Sequence, residues 1–292
     1  MPHINKNGIS ICYETFGNPN HPAMILIMGI GGQLIHWTRK FTQQLVDRGY
    51  FVITFDNRDA GLSTIYKDLE TPELMTALSA QQRGESVTPP YTLKDMATDI
   101  TFLMDGLHIK KAHIVGLSMG GMIAQVFAIE YPERVLTLTC IATTSGAPEL
   151  PPSKPEVMQF FLLPRKEAAD ANAYVENLMQ IYKLYNHPDH YDLKHARDIY
   201  ASAYQRAYHP DGFKRQLLAI VFSEPRYKKL QQIQAPSLVI HGDYDPVFPL
   251  AHGKYLAENI PNARLAMINK MGHALPECLY TDIVNLIAAH AK

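Results

Sequence analysis

The sequence predicts an α/β fold: a mostly parallel central sheet flanked by helices, with a helical cap inserted into this core. Short apolar runs such as Ala23–Met28 and Phe51–Phe55 are continuous, as in strands that are buried on both faces. Strands alternate with helices until about residue 146, where the strand pattern stops and Met, Phe and Tyr recur at helical spacing. We therefore expect a core formed by residues 1–145 and 226–292, and a cap formed by residues 146–225.

Turn and capping residues assign the first elements. Asn7–Gly8 predicts a tight hairpin turn that leads into a strand over Ile9–Tyr13. A helix that starts near His36 connects the two continuous apolar runs. The segment Thr92–Asp95 has the spacing of a capping box, with Asp in place of Glu, and it opens a helix whose apolar face contains residues 96, 100, 103 and 104.

The later elements continue the alternation on either side of the cap. A group of prolines at residues 148, 151, 152 and 155 marks the entry into the cap, and Ser223–Pro225 marks its exit. The expected elements are, in order, a strand over 112–117, a helix over 119–130, a strand over Val135–Ala142, a strand ending near Ile240, a strand over Arg264–Ile268 and a helix over Tyr280–Ala289.

The run Gly116–Gly120 around Ser118 is the most informative motif. A serine between a strand end and a helix start must adopt a strained backbone if its hydroxyl is to stand clear of the sheet, and side chains two residues to either side would collide. Glycine at 116 and 120 removes that collision. The helix that begins near Met119 places unpaired N–H groups and a partial positive charge beside the hydroxyl. Ser118 is therefore the candidate nucleophile.

A serine hydroxyl near neutral pH needs a base, and the base needs an acid that fixes its tautomer. His273 follows the predicted strand at 264–268, and Asp243 and Asp245 follow the strand before it. The chain order is then nucleophile, acid, base. The residues alone leave the choice between the two aspartates open, because either could be a turn residue.

The segment Met28–Gly32 follows an early strand and is rich in glycine, so its backbone can approach a ligand closely. The N–H groups of Ile30 and Met119 are the candidate substrate-binding groups, because together they could bind an oxyanion. The candidate nucleophile, base and acid all lie outside residues 146–225. We therefore expect the cap to control access to the site, so that its removal abolishes selectivity among acyl chains more than it harms these three residues.

With these motifs, the sequence resembles the α/β-hydrolase fold family over nearly its whole length. Gly116–Gly121 matches the family's nucleophile elbow, and Gly272–His273 matches its base. The other matching segments are the oxyanion loop at Met28–Gly32, with Met where His is usual, the turn at Asp56–Ser63, with Asp59 where Gly is more usual, and the acid loop at Gly242–Pro249. The family spacing favours Asp245 as the acid. Asp56 and Arg58 are expected to brace loops.

Within the family, residues 116–125 and 208–216 are similar to the branch of aclacinomycin-type methylesterases, carboxylesterases and enol-lactonase-like hydrolases. The resemblance implies a serine hydrolase that cleaves small to medium carboxylic esters through an acyl-enzyme and needs no cofactor. A serine at 118 argues against the dehalogenase and epoxide hydrolase branches, whose nucleophile is a carboxylate. The alternatives are a lactonase or a carbon–carbon bond hydrolase with the same triad, or a non-catalytic ligand-binding protein of this fold.

Composition limits the other partners. The formal net charge is -1 and no long block of like charges is present, so we expect a small-molecule ester substrate and no nucleic acid. No apolar run is long enough for a membrane span. The three cysteines, Cys12, Cys140 and Cys278, have no metal-binding spacing and are too few for a disulfide-dependent fold, which predicts the cytoplasm. The sequence does not indicate an oligomeric state.

One cluster suggests a metal at first sight. His187, His190 and His195 are interspersed with Asp189 and Asp192. Their spacing matches no common zinc pattern, so we expect a solvated helix face and no metal site.

Overall fold

A computed structural model describes residues 1–163 and 167–292. The strands in this part of the chain are β1 (His3–Lys6), β2 (Ile9–Phe16), β3 (Ala23–Ile27), β4 (Phe51–Phe55), β5 (Ala112–Leu117), β6 (Val135–Ile141), β7 (Ser237–Gly242) and β8 (Arg264–Ile268). They form one eight-stranded sheet in the order β1-β2-β4-β3-β5-β6-β7-β8. β2 pairs antiparallel with both β1 and β4, and the remaining pairs are parallel. The predicted mostly parallel central sheet is confirmed.

Helices cover both faces of the sheet. The helices in the described chain are α1 (Arg39–Val46), α2 (Leu74–Gln82), α3 (Leu93–Gly106), α4 (Met119–Glu130), α5 (Pro155–Leu162), α6 (Ala171–Tyr185), α7 (Leu193–Arg206), α8 (Pro210–Phe222), α9 (Ala251–Asn259) and α10 (Tyr280–His290). Ile114 of β5 packs on the same side as α3, α4 and α9, and its neighbour Val115 packs on the side of α1 and α10. This alternation along β5 explains why β3, β4 and β5 are buried at every position. Among the described helices, none is both long and apolar enough to cross a membrane.

Several local predictions are confirmed. Asn7 and Gly8 have φ angles of 52° and 78°, the left-handed pair that a type I′ hairpin requires between β1 and β2. The Thr92 hydroxyl accepts the Asp95 N–H, and the Asp95 carboxylate accepts the Thr92 N–H, so the capping box that opens α3 is complete.

Three predictions differ from the structure. The helix expected near His36 begins at Arg39, because residues 34–36 form a short 3-10 turn and Thr38 provides the N-cap. β7 extends beyond Ile240 to Gly242, since it pairs with β8 along that length. Helices α2 and α9 were not predicted, because few of their residues are buried and the sequence pattern of each is weakly periodic.

Helices α5–α8 lie between β6 and β7 in the chain, and the described residues between those strands contain no strand. α8 packs on the loops that follow β3 and β4. A Cβ on Gly31 would lie 3.1 Å from the Phe213 ring, and a Cβ on Gly212 would lie 2.1 Å from the Asp59 carbonyl oxygen. The four-helix segment therefore contacts the carboxyl edge of the sheet, which is the edge where open parallel sheets bind ligands.

Candidate active site

Ser118 lies on the sharp turn between β5 and α4. Its φ and ψ angles are 55° and −119°, a conformation that residues with a side chain rarely adopt. A Cβ on Gly116 would lie 2.2 Å from the Gly120 carbonyl oxygen, and a Cβ on Gly120 would lie 2.0 Å from the Ile27 carbonyl oxygen. Both positions therefore accept only glycine, for the steric reason that the sequence suggested.

The strained turn is held by hydrogen bonds from the neighbouring strand. The Ser118 N–H donates to the Ile141 carbonyl oxygen at 2.9 Å, and the Thr143 hydroxyl donates to the Ser118 carbonyl oxygen at 2.7 Å. A Cβ on Gly121 would lie 2.7 Å from the Thr143 side chain, so glycine is needed there as well. The sequence analysis did not identify Thr143. The one indication in the sequence was that Thr143 lies just after β6, the strand that pairs with β5.

Ser118, His273 and Asp245 form one hydrogen-bonded chain. The Ser118 Oγ lies 2.9 Å from His273 Nε2, and His273 Nδ1 lies 3.0 Å from Asp245 Oδ2. All three residues are buried, and Asp245 is the most enclosed, at 4% exposure. With Asp245 ionised, its carboxylate only accepts, so Nδ1 carries the ring proton and Nε2 is left to accept the serine proton. This is the arrangement that activates a serine.

The Asp245 carboxylate is fixed on both of its oxygens. Oδ1 accepts the N–H groups of Val247 at 2.8 Å and Phe248 at 2.9 Å, while Oδ2 faces His273. Burial alone would raise the pKa of Asp245. The charge and hydrogen bond of His273, with smaller contributions from nearby His241 and from the Phe248 N–H, outweigh burial and hold this pKa below its usual value.

Asp243 has a different environment. Its Oδ1 accepts the Lys270 N–H at 2.6 Å, so it joins the loop after β7 to the loop after β8. Of the two aspartates, the structure brings Asp245, which the family spacing favours, to His273, and Asp243 braces the turn.

The two candidate oxyanion donors lie on either side of Ser118. A Cβ on Gly29 would be only 3.2 Å from the Ser118 Cβ, so the loop after β3 passes directly beside the serine. Met119 is the first residue of α4. In the described part of the chain, neither the Ile30 nor the Met119 N–H donates a hydrogen bond. Both remain available to an oxygen that develops negative charge.

Gln216 of α8 fixes the conformation of the oxyanion loop. Its Oε1 accepts the Gly31 N–H at 2.7 Å, and its Nε2 donates to the Arg58 carbonyl oxygen at 2.8 Å. Gly31 has a φ of 68°, which a residue with a side chain would adopt only with strain. The sequence resemblance included Gln216 but gave it no role, because the contact spans 185 residues of chain.

The turn after β4 contains three buried charges. Asp56 accepts the Leu34 N–H at 2.7 Å and the Arg206 guanidinium at 2.7 Å. Arg58 forms a bidentate pair with Asp99, with both contacts at 2.7 Å. These contacts brace loops and do not reach the Ser118 hydroxyl through any hydrogen bond in the described chain.

Asp59 replaces the glycine that is more usual in the family. Its φ of 63° explains the usual glycine, and aspartate tolerates this region better than most residues. Asp59 also forms a buried bidentate pair with Arg215 of α8, at 2.8 and 3.0 Å. In this chain the aspartate therefore helps attach α8 to the turn.

Helix α6 ends directly on the backbone of His273. The His273 N–H donates to the Tyr185 carbonyl oxygen at 2.9 Å, and a Cβ on Gly272 would lie 1.9 Å from that same oxygen. The end of α6 therefore supports the backbone of His273 directly. Sequence reasoning could not find this contact, because nothing in the local pattern pairs residues 185 and 273.

Aromatic side chains of α5, α6 and α8 connect the base to the oxyanion loop. The Tyr185 ring lies edge-on to the His273 ring, with centroids 5.4 Å apart. Phe160 lies 6.5 Å from Tyr185 and 6.1 Å from Phe213, and Phe213 lies against Gly31. We call Phe160, Tyr185 and Phe213 the aromatic roof.

The histidine-rich segment supports the loops of the acid and base. The His187 ring packs edge-on against Tyr244 at 4.7 Å, and Asp189 forms an ion pair with Lys270 at 2.6 Å. Within residues 1–163 and 167–292, no three His, Cys, Asp or Glu side chains converge on a possible metal position.

The three cysteines are free thiols. Burial raises the pKa of Cys12 to about 11 and the pKa of Cys140 to about 12. Cys278 is exposed, and partial desolvation raises its pKa too. None of the three therefore has the lowered pKa of a reactive thiolate.

Comparison with known proteins gives the same fold and names a family. Residues 22–277 match the family described as alpha/beta hydrolase fold. The rhodomycin D methylesterase of Streptomyces sp. (strain C5) is 28% identical, over 99% of this chain and 97% of its own length. The 3-oxoadipate enol-lactonase 2 of Acinetobacter baylyi is also 28% identical, over 91% of this chain and 87% of its own.

Solved structures agree on the fold. The enol-lactonase from Burkholderia xenovorans LB400 superposes with a TM-score of 0.71 at 22% identity, covering 98% of this chain and 99% of that one. The meta-cleavage product hydrolase from Pseudomonas fluorescens IP01 gives 0.73 at 21% identity, covering 99% and 97%. The family match spans most of the chain, and the chain belongs to the α/β-hydrolase fold family.

Proposed function

We propose that this chain is a serine esterase that cleaves small to medium carboxylic esters through an acyl-enzyme. The observation that carries the proposal is the chain of contacts from Ser118 Oγ to His273 Nε2 at 2.9 Å and from His273 Nδ1 to Asp245 Oδ2 at 3.0 Å. These contacts lie beside two N–H groups that donate no hydrogen bond of their own in the described chain. A non-catalytic binding protein would have no need of the strained Ser118 backbone.

The reaction follows from these positions. Ser118 Oγ attacks the ester carbonyl carbon while His273 Nε2 takes its proton, and the Ile30 and Met119 N–H groups bind the resulting oxyanion. The imidazolium, stabilised by Asp245, then gives its proton to the alkoxide oxygen as the C–O bond breaks. Water, activated by the same histidine, attacks the acyl-enzyme and releases the acid and Ser118.

Residues 146–225 form a helical cap over a core of residues 1–145 and 226–292 in this proposal. The support is that helices α6 and α8 contact the loops after β3, β4 and β8. The aromatic roof would then cover the serine with apolar surface, which favours an ester with an apolar group.

The ester class rests on the relatives together with the site. The full-length similarity to a rhodomycin D methylesterase favours a carboxylic ester, with a methyl ester as one form. The similarity to a 3-oxoadipate enol-lactonase supports a lactone as the second candidate, because ring opening uses the same acyl transfer. Three free thiols, two of them buried, fit a reducing compartment such as the cytoplasm.

Turnover of a matched substrate panel tests the proposal. The panel contains esters graded by acyl length and by alcohol bulk, together with enol-lactones and vinylogous diketones. We expect the highest kcat/KM for an ester, and no turnover by the Ser118→Ala variant. A lactone or diketone preference of more than about tenfold would move the assignment to that alternative. A folded wild-type protein that turns over nothing and reacts with no active-serine probe would support a binding protein instead.

A further inference from the structure

His241 is a histidine that the proposed reaction does not use, yet it lies directly behind the acid. It occupies β7, four residues before Asp245, and its side chain is completely buried. Its Nε2 lies 2.7 Å from the Phe248 carbonyl oxygen and 3.6 Å from Asp245 Oδ2. Gly253 of α9 makes room for the ring, since a Cβ there would lie 2.7 Å from the His241 Cγ.

The contacts of His241 determine where its proton lies. A carbonyl oxygen can only accept, so Nε2 must carry the proton and donate it to Phe248. Nδ1 is buried and has no hydrogen-bond partner in the described part of the chain. A second proton on Nδ1 would place an unsolvated N–H in the interior. Burial accordingly lowers the pKa of His241, against the attraction of Asp245, and the ring stays neutral at pH 7.

Phe248 is held from two sides as a result. Its carbonyl oxygen accepts from His241, and its N–H donates to Asp245 Oδ1 at 2.9 Å. The next residue is Pro249, which restricts the Phe248 backbone further. The Phe248 ring also packs at 5.4 Å from the His273 ring. Any change in the position of this peptide therefore moves the donor that orients the acid and a ring that contacts the base.

We propose that His241 is a positioning residue: by binding the Phe248 carbonyl oxygen, its neutral Nε2–H fixes the loop that directs Asp245 Oδ2 at His273. His241 touches no reacting atom. The titratable groups around its ring are Asp245 in its own loop, His273 in the loop after β8 and His252 in α9. While the His241 ring is neutral, the negative charge of Asp245 is available to stabilise His273. A positively charged His241 would compete with His273 for this carboxylate.

The inference rests on the proposed function, and it predicts the kinetics of two variants. His241→Leu removes the N–H but keeps an apolar side chain of similar bulk. We expect kcat to fall about tenfold to a hundredfold, the loss that a misplacement near 1 Å can cause, with KM nearly unchanged. His241→Gln keeps an N–H at the end of its side chain and cannot become charged, so it should recover most of the lost kcat.

A second readout does not depend on turnover. The NMR signal of the His273 Nδ1–H proton reports its hydrogen bond to Asp245 Oδ2, and this signal should move upfield in His241→Leu because Asp245 is less well aligned. His113→Leu is the matched control, since His113 is a buried strand histidine bonded to Thr137 Oγ1 at 2.9 Å, away from the site. This variant should lose stability without changing kcat or the His273 Nδ1–H signal.

The outcomes separate the two proposals. An active wild type whose His241→Leu variant keeps both kcat and the position of the His273 Nδ1–H signal would overturn the role of His241, as would a His241→Gln variant as impaired as His241→Leu. If the wild type hydrolyses no ester, the proposed function fails. The His273 Nδ1–H signal in His241→Leu then still decides whether His241 orients Asp245. Thermal unfolding of each variant excludes loss of the fold as the cause.

Discussion

Replacing Gly272 by alanine tests how closely helix α6 is coupled to the base. The new Cβ would lie 1.9 Å from the Tyr185 carbonyl oxygen, whereas real Cβ atoms essentially never approach within 3.0 Å. The opposing atom is backbone at the end of a helix, so it cannot rotate away. The His273 loop and the end of α6 must therefore separate by about 1 Å, and the His273 N–H to Tyr185 hydrogen bond at 2.9 Å lengthens or breaks.

The magnitude follows from that displacement. A misplacement of about 1 Å in a catalytic group costs about a hundredfold in rate, and loss of one hydrogen bond costs about 1 kcal/mol of stability. Gly272→Ala should thus lower kcat about a hundredfold while the melting temperature falls by a few degrees. The assay is kcat and KM on the best ester of the panel, with thermal unfolding alongside.

Gly49→Ala is the matched control for this variant. Gly49 has a φ of 86°, and no atom lies within 4 Å of the position that a Cβ would take, so alanine there introduces backbone strain without a collision. It should destabilise the protein without changing kcat. If Gly272→Ala keeps kcat within about threefold of the wild type, α6 does not hold the base, and the coupling argument is refuted.

The remaining predictions concern the acid, selectivity, thiols and pH. Asp245→Asn should lower kcat by several orders of magnitude and Asp243→Asn should change it little; the reverse ranking would transfer the role of the acid. Tyr185→Ala should alter selectivity for the alcohol group of the ester, because Tyr185 packs on His273, which delivers its proton to the alcohol. Phe213→Ala should instead alter selectivity for the acyl group. Identical changes in the alcohol and acyl profiles of the two variants would contradict these assignments. Alkylation of the accessible thiols should leave most of the esterase activity in place. Inactivation that a substrate analogue prevents would instead place a cysteine in or beside the active site. Burial lowers the pKa of His113 from 6.5 to about 4 in the folded protein. As the pH falls from 6.5 to about 4, His113 is therefore protonated in the unfolded chain before it is protonated in the folded protein. Stability should therefore decline with acidification over this range, and less steeply in His113→Leu; equal slopes in chemical denaturation would exclude His113 as a contributor.

The sequence predicted those features of the fold and site that depend on local backbone geometry. The hairpin at Asn7–Gly8, the capping box at Thr92 and the glycines around Ser118 each depend on residues within a few positions of one another. Steric and capping rules act at that range, so a single sequence was enough to place them.

The rest depends on contacts that no local pattern encodes. Gln216 binds the oxyanion loop across 185 residues of chain, and Tyr185 reaches His273 only because α6 ends above the loop after β8. The choice between Asp243 and Asp245 was open for a related reason. Their positions differ by two residues, and only the path of the loop after β7 decides which carboxylate faces the base.

The most direct test of the central claim is the mass of the intact protein after treatment with a fluorophosphonate. We expect one phosphonyl adduct per wild-type chain, carried by the peptide that contains Ser118, and none on a folded Ser118→Ala variant. The reason is that His273, at 2.9 Å, activates this hydroxyl. An adduct on another residue, or equal labelling of the Ser118→Ala variant, would contradict the assignment of Ser118 as the nucleophile.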